Sequence, residues 1–115
     1  MLPETIRLDA DKHTLYLQYA DDTYSLSAEY LRVYSPSAEV RGHGVGQEVL
    51  QTGKRSVKIV DLQMSGNYAL KIVYSDGHDS GLYDWAYLYE LATQYAQKWQ
   101  AYEARLRQAG ASRDA

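Results

Sequence analysis

The chain has 115 residues, a net charge of −3 and no cysteine. It therefore predicts one domain without disulfides, thiolate nucleophiles, cysteine-based zinc fingers or iron–sulfur clusters held by its own side chains. The acidic net charge argues against nucleic-acid binding, which depends on neutralising phosphates. The sequence has no apolar run near the roughly 20 residues of a membrane helix and no apolar signal core. We therefore expect a cytoplasmic protein that binds no membrane.

The first third of the chain predicts a β-meander followed by a short helix. Ser27 is the predicted N-cap of this helix, Pro36 ends it, and we expect Arg32 on its exposed side. Alternating apolar and polar residues predict the three strands, at Thr5–Leu8, Thr14–Tyr19 and Thr23–Leu26.

The stretch Leu31–Glu48 is the predicted functional surface. Glycines at alternate positions 42, 44 and 46 allow sharp turns, and beyond the short helix we expect neither helix nor strand. An irregular segment of this length in a small domain is usually functional or disordered, and its apolar residues argue against disorder. The side chains that would contact a protein partner are Ser35, Ser37, Glu39, Arg41, His43 and Gln47.

Two other interpretations of the glycine-rich stretch stay open. It is a loop shaped to pack on the sheet, or it is a phosphate-binding loop. The second interpretation is the weaker one, because the stretch lacks a preceding strand, a Lys-Ser/Thr pair and a clear following helix.

The second half of the chain predicts three more strands and a long helix. The strands are Ser56–Met64, Tyr68–Tyr74 and His78–Tyr83, with a turn at Asp76-Gly77. Asp84 is the predicted N-cap of a helix that runs to Leu106 with apolar residues at heptad spacing, and this helix would be roughly 35 Å long.

The later turns of this predicted helix would extend past the edge of a small sheet. Trp99, Tyr102 and Leu106 are therefore predicted to form a helix–helix interface, with a homodimer as one interpretation and an exposed, frayed helix as the other. Residues 108–115 are predicted to be a disordered tail.

Together these elements predict an α+β fold in one domain over residues 1–107. It contains a small, mostly antiparallel β-sheet, one short helix and a long C-terminal helix. Thr14–Tyr34 and Val57–Leu106 each run from a β-hairpin into a helix, which suggests two related half-units.

Two segments carry a resemblance to a known family: Leu31–Gly44 (LRVYSPSAEVRGHG) and Tyr74–Trp85 (YSDGHDSGLYDW). Their pairing resembles the γ-butyrobetaine-hydroxylase-like N-terminal domain family, DUF971, over about Leu8 to Leu91. That family occurs as stand-alone proteins, in 2-oxoglutarate- and iron-dependent hydroxylases, and fused to Mrp-type P-loop ATPases. The resemblance implies an accessory module linked to iron–sulfur protein maturation or to such oxygenases, with an Mrp-type ATPase or a metalloenzyme as partner.

The resemblance also bears on metal binding. In the hydroxylases this domain holds a structural zinc with three cysteines and one histidine. The resemblance aligns the cysteines with Ser35, Ser37 and Val40 and the histidine with His78. This chain keeps only the histidine, so the zinc site is not carried over, and we expect the catalytic domain of the oxygenases to be absent.

A different metal site stays open as an alternative. His78 with Asp76, Asp79 and either Glu39 or His43 would suit iron or zinc. The competing interpretation, which we favour, is that His78 hydrogen-bonds the Ser35–Ser37 segment, because serine hydroxyls are poor metal ligands.

Hydrolysis by a serine–histidine pair lacks support in the sequence. Ser35 or Ser37 could act as a nucleophile beside a histidine, but no nucleophile-elbow sequence is present and no orienting acid can be assigned. We therefore expect a non-enzymatic domain, with no cofactor firmly implied.

Overall fold

The fold consists of two antiparallel meanders, each followed by two helices. The computed structural model describes residues 2–42, 44 and 46–114. The first half contains β1 (Thr5–Leu8), β2 (Thr14–Gln18), β3 (Thr23–Ser27), α1 (Ala28–Val33) and α2 (Ala38–Arg41). The second half contains β4 (Ile59–Ser65), β5 (Ala69–Tyr74), β6 (Leu82–Asp84), α3 (Trp85–Thr93) and α4 (Tyr95–Ala109). The predicted α+β class is confirmed.

The strands form two sheets of three rather than one small sheet. Their orders are β1-β2-β3 and β4-β5-β6, and every pairing is antiparallel. The two sheets meet where the backbone N–H of Ile59 donates to the carbonyl of Lys12 over 2.9 Å. Within the described residues, no helix is long and apolar enough to cross a membrane.

Each meander runs directly into a capped helix. The Ser27 hydroxyl accepts from the backbone N–H of Tyr30 at 3.0 Å, and the Asp84 carboxylate accepts from that of Tyr87 at 2.7 Å. Both caps satisfy a helix N–H that has no partner in the first turn. The two predicted N-caps are therefore confirmed, and the two halves share the order of three strands and a capped helix.

Tyrosine hydroxyls connect the helices across the core. Five of them donate to backbone carbonyls far away in the sequence, over 2.6 to 2.7 Å. The donor–acceptor pairs are Tyr30 to Leu91, Tyr34 to Lys98, Tyr83 to Leu31, Tyr87 to Tyr34 and Tyr102 to Gln51. Because a buried hydroxyl is costly without a partner, these bonds make a tyrosine-rich interior possible. We call these five bonds the tyrosine network.

The long C-terminal helix is present as α4, but it is not continuous with α3. The chain leaves helical geometry at Gln94, where φ is −111° and ψ is 25°. The predicted uninterrupted helix from Asp84 to Leu106 is therefore wrong. Beyond the break, α4 packs against Val33 of α1.

The predicted interface residues of α4 pack inside the chain itself. Tyr102 is 1% exposed and Leu106 is 6% exposed, and both pack against Val33. Trp99 lies partly buried beside the same cluster and stacks on Tyr95 at 6.3 Å between ring centroids. Tyr102 and Leu106 therefore make a helix–helix contact with α1 of the same chain.

Residues 110–114 fold back onto the domain rather than forming the predicted disordered tail. The N–H of Gly53 donates to Ser112 and that of Arg55 donates to Arg113, over 3.1 and 3.0 Å. The Arg113 guanidinium also makes two hydrogen bonds, of 2.8 and 2.6 Å, to the buried carboxylate of Glu29. We call residues 110–114 the C-terminal segment.

Two further expectations about the first half are wrong. Arg32 is buried, 7% exposed, because its guanidinium reaches the carboxylate of Asp76 at 2.9 Å. The stretch after Pro36 also contains one helical turn, α2, which begins after Ser37 and ends at Gly42. The burial of Arg32 has no local sequence signal, because its partner lies 44 residues away.

Candidate functional site

His78 and two serines form a buried cluster between the α1–α2 connection and the β5–β6 connection. The Nε2 atom of His78 lies 2.8 Å from the hydroxyl of Ser35 and 3.3 Å from that of Ser37. The Ser35 hydroxyl also accepts from the backbone N–H of Ser37 at 3.3 Å. We call these three residues the serine–histidine cluster. Its geometry is that of hydrogen bonding between His78 and the Ser35–Ser37 segment.

Burial sets the charge of the histidine. Burial is the main factor that lowers the pKa of His78, and the positive charge of Arg32 adds to this effect, while Glu39 and Asp76 oppose it. A neutral imidazole carries one N–H donor and one acceptor nitrogen. Its Nδ1 atom lies 3.4 Å from a carboxylate oxygen of Glu39, which suits a donor, and Nε2 then accepts from a serine hydroxyl.

Gly81 lets the two connections approach each other. A Cβ atom at this position would collide with the Ser35 hydroxyl and would lie 3.0 Å from Cδ of Pro36. Only a residue without a side chain fits here. The local sequence does not predict this role of Gly81, because the role depends on a contact with a distant segment.

The two aspartates next to His78 are engaged with cations. One Asp76 oxygen accepts from Arg32 at 2.9 Å and from Lys54 at 2.6 Å, and the other accepts from the backbone N–H of His78 at 3.1 Å. Burial alone would raise the pKa of Asp76, but the hydrogen bonds from Lys54 and His78 and the charge of Arg32 lower it to about 2. Asp79 is half exposed and lies 3.9 Å from Lys71.

The predicted metal ligands are therefore not brought together as a set. Across residues 2–42, 44 and 46–114, no three His, Asp or Glu side chains are close enough to one another to hold a metal ion. His43, the remaining predicted ligand and partner-contact residue, lies outside the described residues.

Residues 38–49 are called the glycine loop, and its described residues, 38–42, 44 and 46–49, are linked by hydrogen bonds to one another. The N–H of Val49 donates to the carbonyl of Val40 at 2.8 Å, and that of Gln47 donates to Gly44 at 3.0 Å. Gly42 has a φ of 73°, and a side chain there would collide with the carbonyl of Gln47. The loop is thus a compact structure whose shape requires glycine at position 42.

Only part of the predicted contact surface is exposed. Glu39, Arg41 and Gln47 are exposed on the glycine loop. Ser35 and Ser37 are 1% and 5% exposed, so their side chains are buried and not exposed as the other predicted contact residues are.

An open cleft of about 530 Å³ lies beside the glycine loop. We call it the arginine cleft, because guanidinium groups from α2 and α4 line it. The lining residues are Val33, Tyr34, Ser35, Val40, Arg41, Gly42, Gly44, Glu48, Tyr87 and Arg105. Arg105 and Tyr87 were not singled out in the sequence, where both are ordinary members of helical patterns.

The walls of the arginine cleft are held by contacts among its own residues. The Arg41 guanidinium lies 4.8 Å from the centre of the Tyr87 ring, and the Tyr87 hydroxyl donates to the carbonyl of Tyr34 at 2.6 Å. Backbone hydrogen bonds from Glu48 and Gly46 lower the pKa of the Glu48 carboxyl, with a smaller contribution from the charge of Arg105. The cleft therefore combines apolar and aromatic walls with two cations and one ionised acid.

Three solved structures are similar to this chain over most of its length. Two were determined by NMR in solution. The first is 54% identical to this chain with a TM-score of 0.86, and the match covers 98% of this chain and 90% of the solved one. The second is 46% identical with a TM-score of 0.81, and the match covers 97% of this chain and 84% of the solved one. The third is a crystal structure from Acidithiobacillus ferrooxidans, described as a protein of unknown function in the DUF971 family; it is 33% identical with a TM-score of 0.62, covering 78% and 91%.

The family comparison agrees with these structural matches. No curated protein matches the chain. The family model described as "Gamma-butyrobetaine hydroxylase-like, N-terminal" matches residues 6–89. The resemblance inferred from the two sequence segments is confirmed. The chain therefore belongs to the γ-butyrobetaine hydroxylase-like N-terminal domain family, which is also called DUF971.

Proposed function

We propose that this domain is a non-enzymatic accessory module that binds a protein partner through the glycine loop and the adjoining arginine cleft. The observation that carries the proposal is that the start of the glycine loop is fixed by buried hydrogen bonds while other residues of the loop are exposed. Buried hydrogen bonds fix its start through Ser35, Ser37 and His78, while Glu39 and Gln47 are exposed beside an open cleft. A fixed loop that presents polar groups loses little conformational entropy when a partner binds.

The identity of the partner is proposed from the family. An Mrp-type P-loop ATPase, or a metalloenzyme such as a 2-oxoglutarate- and iron-dependent oxygenase, would bind this surface in the cytoplasm. In that setting the domain would assist iron–sulfur protein maturation or an oxygenase without reacting itself. The net charge of −3 favours a protein partner over a nucleic acid.

Burial supports an accessory role over a hydrolase. Ser35, His78 and Glu39 lie in the order of a nucleophile, a base and an acid, with separations of 2.8 and 3.4 Å. The Ser35 residue is only 1% exposed, and its hydroxyl already accepts a backbone hydrogen bond. A nucleophile must reach a substrate atom, so this arrangement suits a structural link better than catalysis.

Binding to purified candidates tests the proposal. Isothermal titration calorimetry would measure the affinity for the Mrp-type ATPase and for an iron-dependent oxygenase from the same organism. The double variant Glu39→Ala/Gln47→Ala should weaken binding at least about tenfold, which corresponds to about 1.4 kcal/mol. The matched control Glu4→Ala/Gln97→Ala removes the same groups from exposed positions elsewhere and should bind like the unmodified protein.

Two results would count against this function. Equal binding by the loop variant and the control would remove the glycine loop from the interface, and absence of binding to either candidate would remove the proposed partners. Elemental analysis of the same samples addresses the alternative: near-stoichiometric iron or zinc that disappears in a folded His78→Ala variant would make metal binding the function instead.

A further inference from the structure

We propose that the arginine cleft binds an acidic segment of a protein partner, with a carboxylate held by Arg41 and Arg105 and a neighbouring apolar side chain between the cleft walls. The inference rests on the proposed function and names the chemistry that the partner must present. It adds Arg105 and Glu48, which lie outside the predicted contact residues, to the binding surface.

The charges of the domain point to a carboxylate. The molecule is acidic overall, and half of its basic side chains lie within 4.0 Å of a carboxylate, namely Arg32, Lys54, Arg55, Lys71, Lys98 and Arg113. Among the residues that the structure describes, neither Arg41 nor Arg105 has such a partner. Two guanidinium groups that line one cleft create a local positive potential in an otherwise negative molecule, and this potential attracts an anion.

The walls of the cleft favour an apolar group next to that anion. Val33 and Val40 supply aliphatic surface, and the rings of Tyr34 and Tyr87 supply aromatic surface. The contact of Arg41 with the Tyr87 ring orients the guanidinium before any ligand arrives. A volume of about 530 Å³ lies within the range of roughly 300–1,000 Å³ that is usual for ligand sites, so an acidic side chain and its apolar neighbour fit together.

Glu48 decides which anion fits best. Its carboxylate lines the same cleft, and backbone hydrogen bonds together with the charge of Arg105 keep its pKa low, so it stays ionised. A dianionic phosphate would meet stronger repulsion from Glu48 than a singly charged carboxylate, and it would gain nothing from the apolar walls. In the free domain, the Glu48 carboxylate already interacts with the positive charge of Arg105. A carboxylate of the partner would therefore compete with Glu48 for this charge.

Because Glu48 competes with the carboxylate of the ligand, substitutions of Arg105 and Glu48 should change the affinity for an acidic peptide in opposite directions. The probe is the acetylated and amidated hexapeptide Ala-Leu-Glu-Glu-Leu-Ala, titrated into ¹⁵N-labelled protein at 50 mM salt. Arg105→Gln should weaken binding about tenfold, the effect of losing one hydrogen bond to a charged group. Glu48→Gln should tighten it a few-fold, and Arg107→Gln, an exposed arginine of the same helix, should leave it unchanged.

Further arms of the titration separate charge from apolar contact and peptide from phosphate. The neutral peptide Ala-Leu-Gln-Gln-Leu-Ala should bind at least about tenfold more weakly, and 300 mM salt should weaken the acidic peptide because exposed charges are screened. Equal binding of both peptides, no change with Arg105→Gln, or displacement of the acidic peptide by 10 mM inorganic phosphate at constant ionic strength would overturn the inference.

The two proposals can fail separately. If the intact partner binds through the glycine loop but the peptides do not discriminate between glutamate and glutamine, the carboxylate inference is wrong and the accessory function stands. If the acidic peptide binds as expected and neither intact partner does, the chemistry of the cleft stands and the named partners are wrong.

Discussion

At the scale of single residues, the serine–histidine cluster joins the two connections by hydrogen bonding. The Nε2 atom of His78 lies 2.8 Å from the hydroxyl of Ser35 and 3.3 Å from that of Ser37. The cost of the arrangement is that a protonated His78 would be a buried cation close to Arg32. The stability of the domain should therefore depend on the protonation of this one side chain.

The first prediction concerns this pH dependence. Because the pKa of His78 in the folded protein lies below its ordinary value of 6.5, the unfolded chain takes up the proton first as the pH falls. The free energy of unfolding should thus decrease below about pH 6.5, with a slope of at most about 1.4 kcal/mol per pH unit for one proton. Urea denaturation between pH 7.5 and 5 would measure this slope.

The variant His78→Gln isolates the effect. Glutamine keeps hydrogen-bonding groups and does not titrate, so the slope should become smaller over this range. An identical slope in the unmodified protein and in His78→Gln would contradict the assignment. The loss of the ionised Asp76, whose pKa is lowered from 3.8 to about 2, belongs to a separate range below pH 4.

The second prediction concerns the close approach at Gly81. A methyl group there would overlap the Ser35 hydroxyl and crowd Pro36, so Gly81→Ala should lower the free energy of unfolding by roughly 1–3 kcal/mol, as is usual for overpacking. Gly44→Ala is the matched control, because a Cβ at Gly44 meets no atom within 4 Å among the described residues outside its immediate neighbours in the chain. Chemical denaturation would measure the free energy of unfolding of both variants. Equal values for the two would show that the α1–α2 and β5–β6 connections can move apart without a loss of stability.

At the scale of elements, the C-terminal segment fastens the two halves of the chain to each other. Ser112 and Arg113 pair through their backbone with residues 53–55, while the Arg113 side chain reaches Glu29 in α1. The Glu29 side chain is only 6% exposed, and Arg113 supplies a bidentate partner for its charge. The stability of α1 therefore depends on a segment at the far end of the sequence.

The third prediction tests this dependence. Arg113→Ala leaves the buried Glu29 carboxylate without a cation, and the loss of one partner from a buried pair is costly. Since the Arg113 side chain is 28% exposed, water reduces the penalty, and we expect a loss of about 2 kcal/mol in urea denaturation.

A neighbouring ion pair supplies the control for that variant. Arg55 pairs with Asp114 in the same segment, but these side chains are 50% and 66% exposed. Exposed pairs contribute roughly 0–1 kcal/mol, so Arg55→Ala should change stability little. If the two substitutions had equal effects, burial of Glu29 would not be the reason for the stabilisation.

At the scale of the whole molecule, local patterns predicted what depends on neighbours in sequence. The alternation of apolar and polar residues predicted β2, where Leu15 and Leu17 are fully buried. The residue types at Ser27 and Asp84 predicted the two N-caps. The two matching halves also followed from local order. The hydrogen bond from His78 to the serines was one of the two interpretations offered, and it is the one with the observed geometry.

The features that the sequence did not predict all depend on distant contacts. The burial of Arg32 requires Asp76, and the break at Gln94 occurs without proline or glycine. Beyond the break, α4 packs against Val33, and its residue Arg105 lines the arginine cleft together with residues of the first half. Tertiary contacts therefore override helical periodicity in the C-terminal half. The arginine cleft could not be predicted from the sequence for the same reason, because its lining residues come from distant segments.

The tyrosine network has a consequence for behaviour in alkali. Each hydroxyl in it must keep its proton to donate, and burial raises the pKa of these groups above 10, for example to about 12 for Tyr102. Their contribution is complete below pH 10 and disappears as the pH rises further, because the unfolded chain then loses its phenolic protons first. Uncharged tyrosine rings thus contribute to the upper pH limit of this fold, and phenolate absorbance should rise together with the loss of structure.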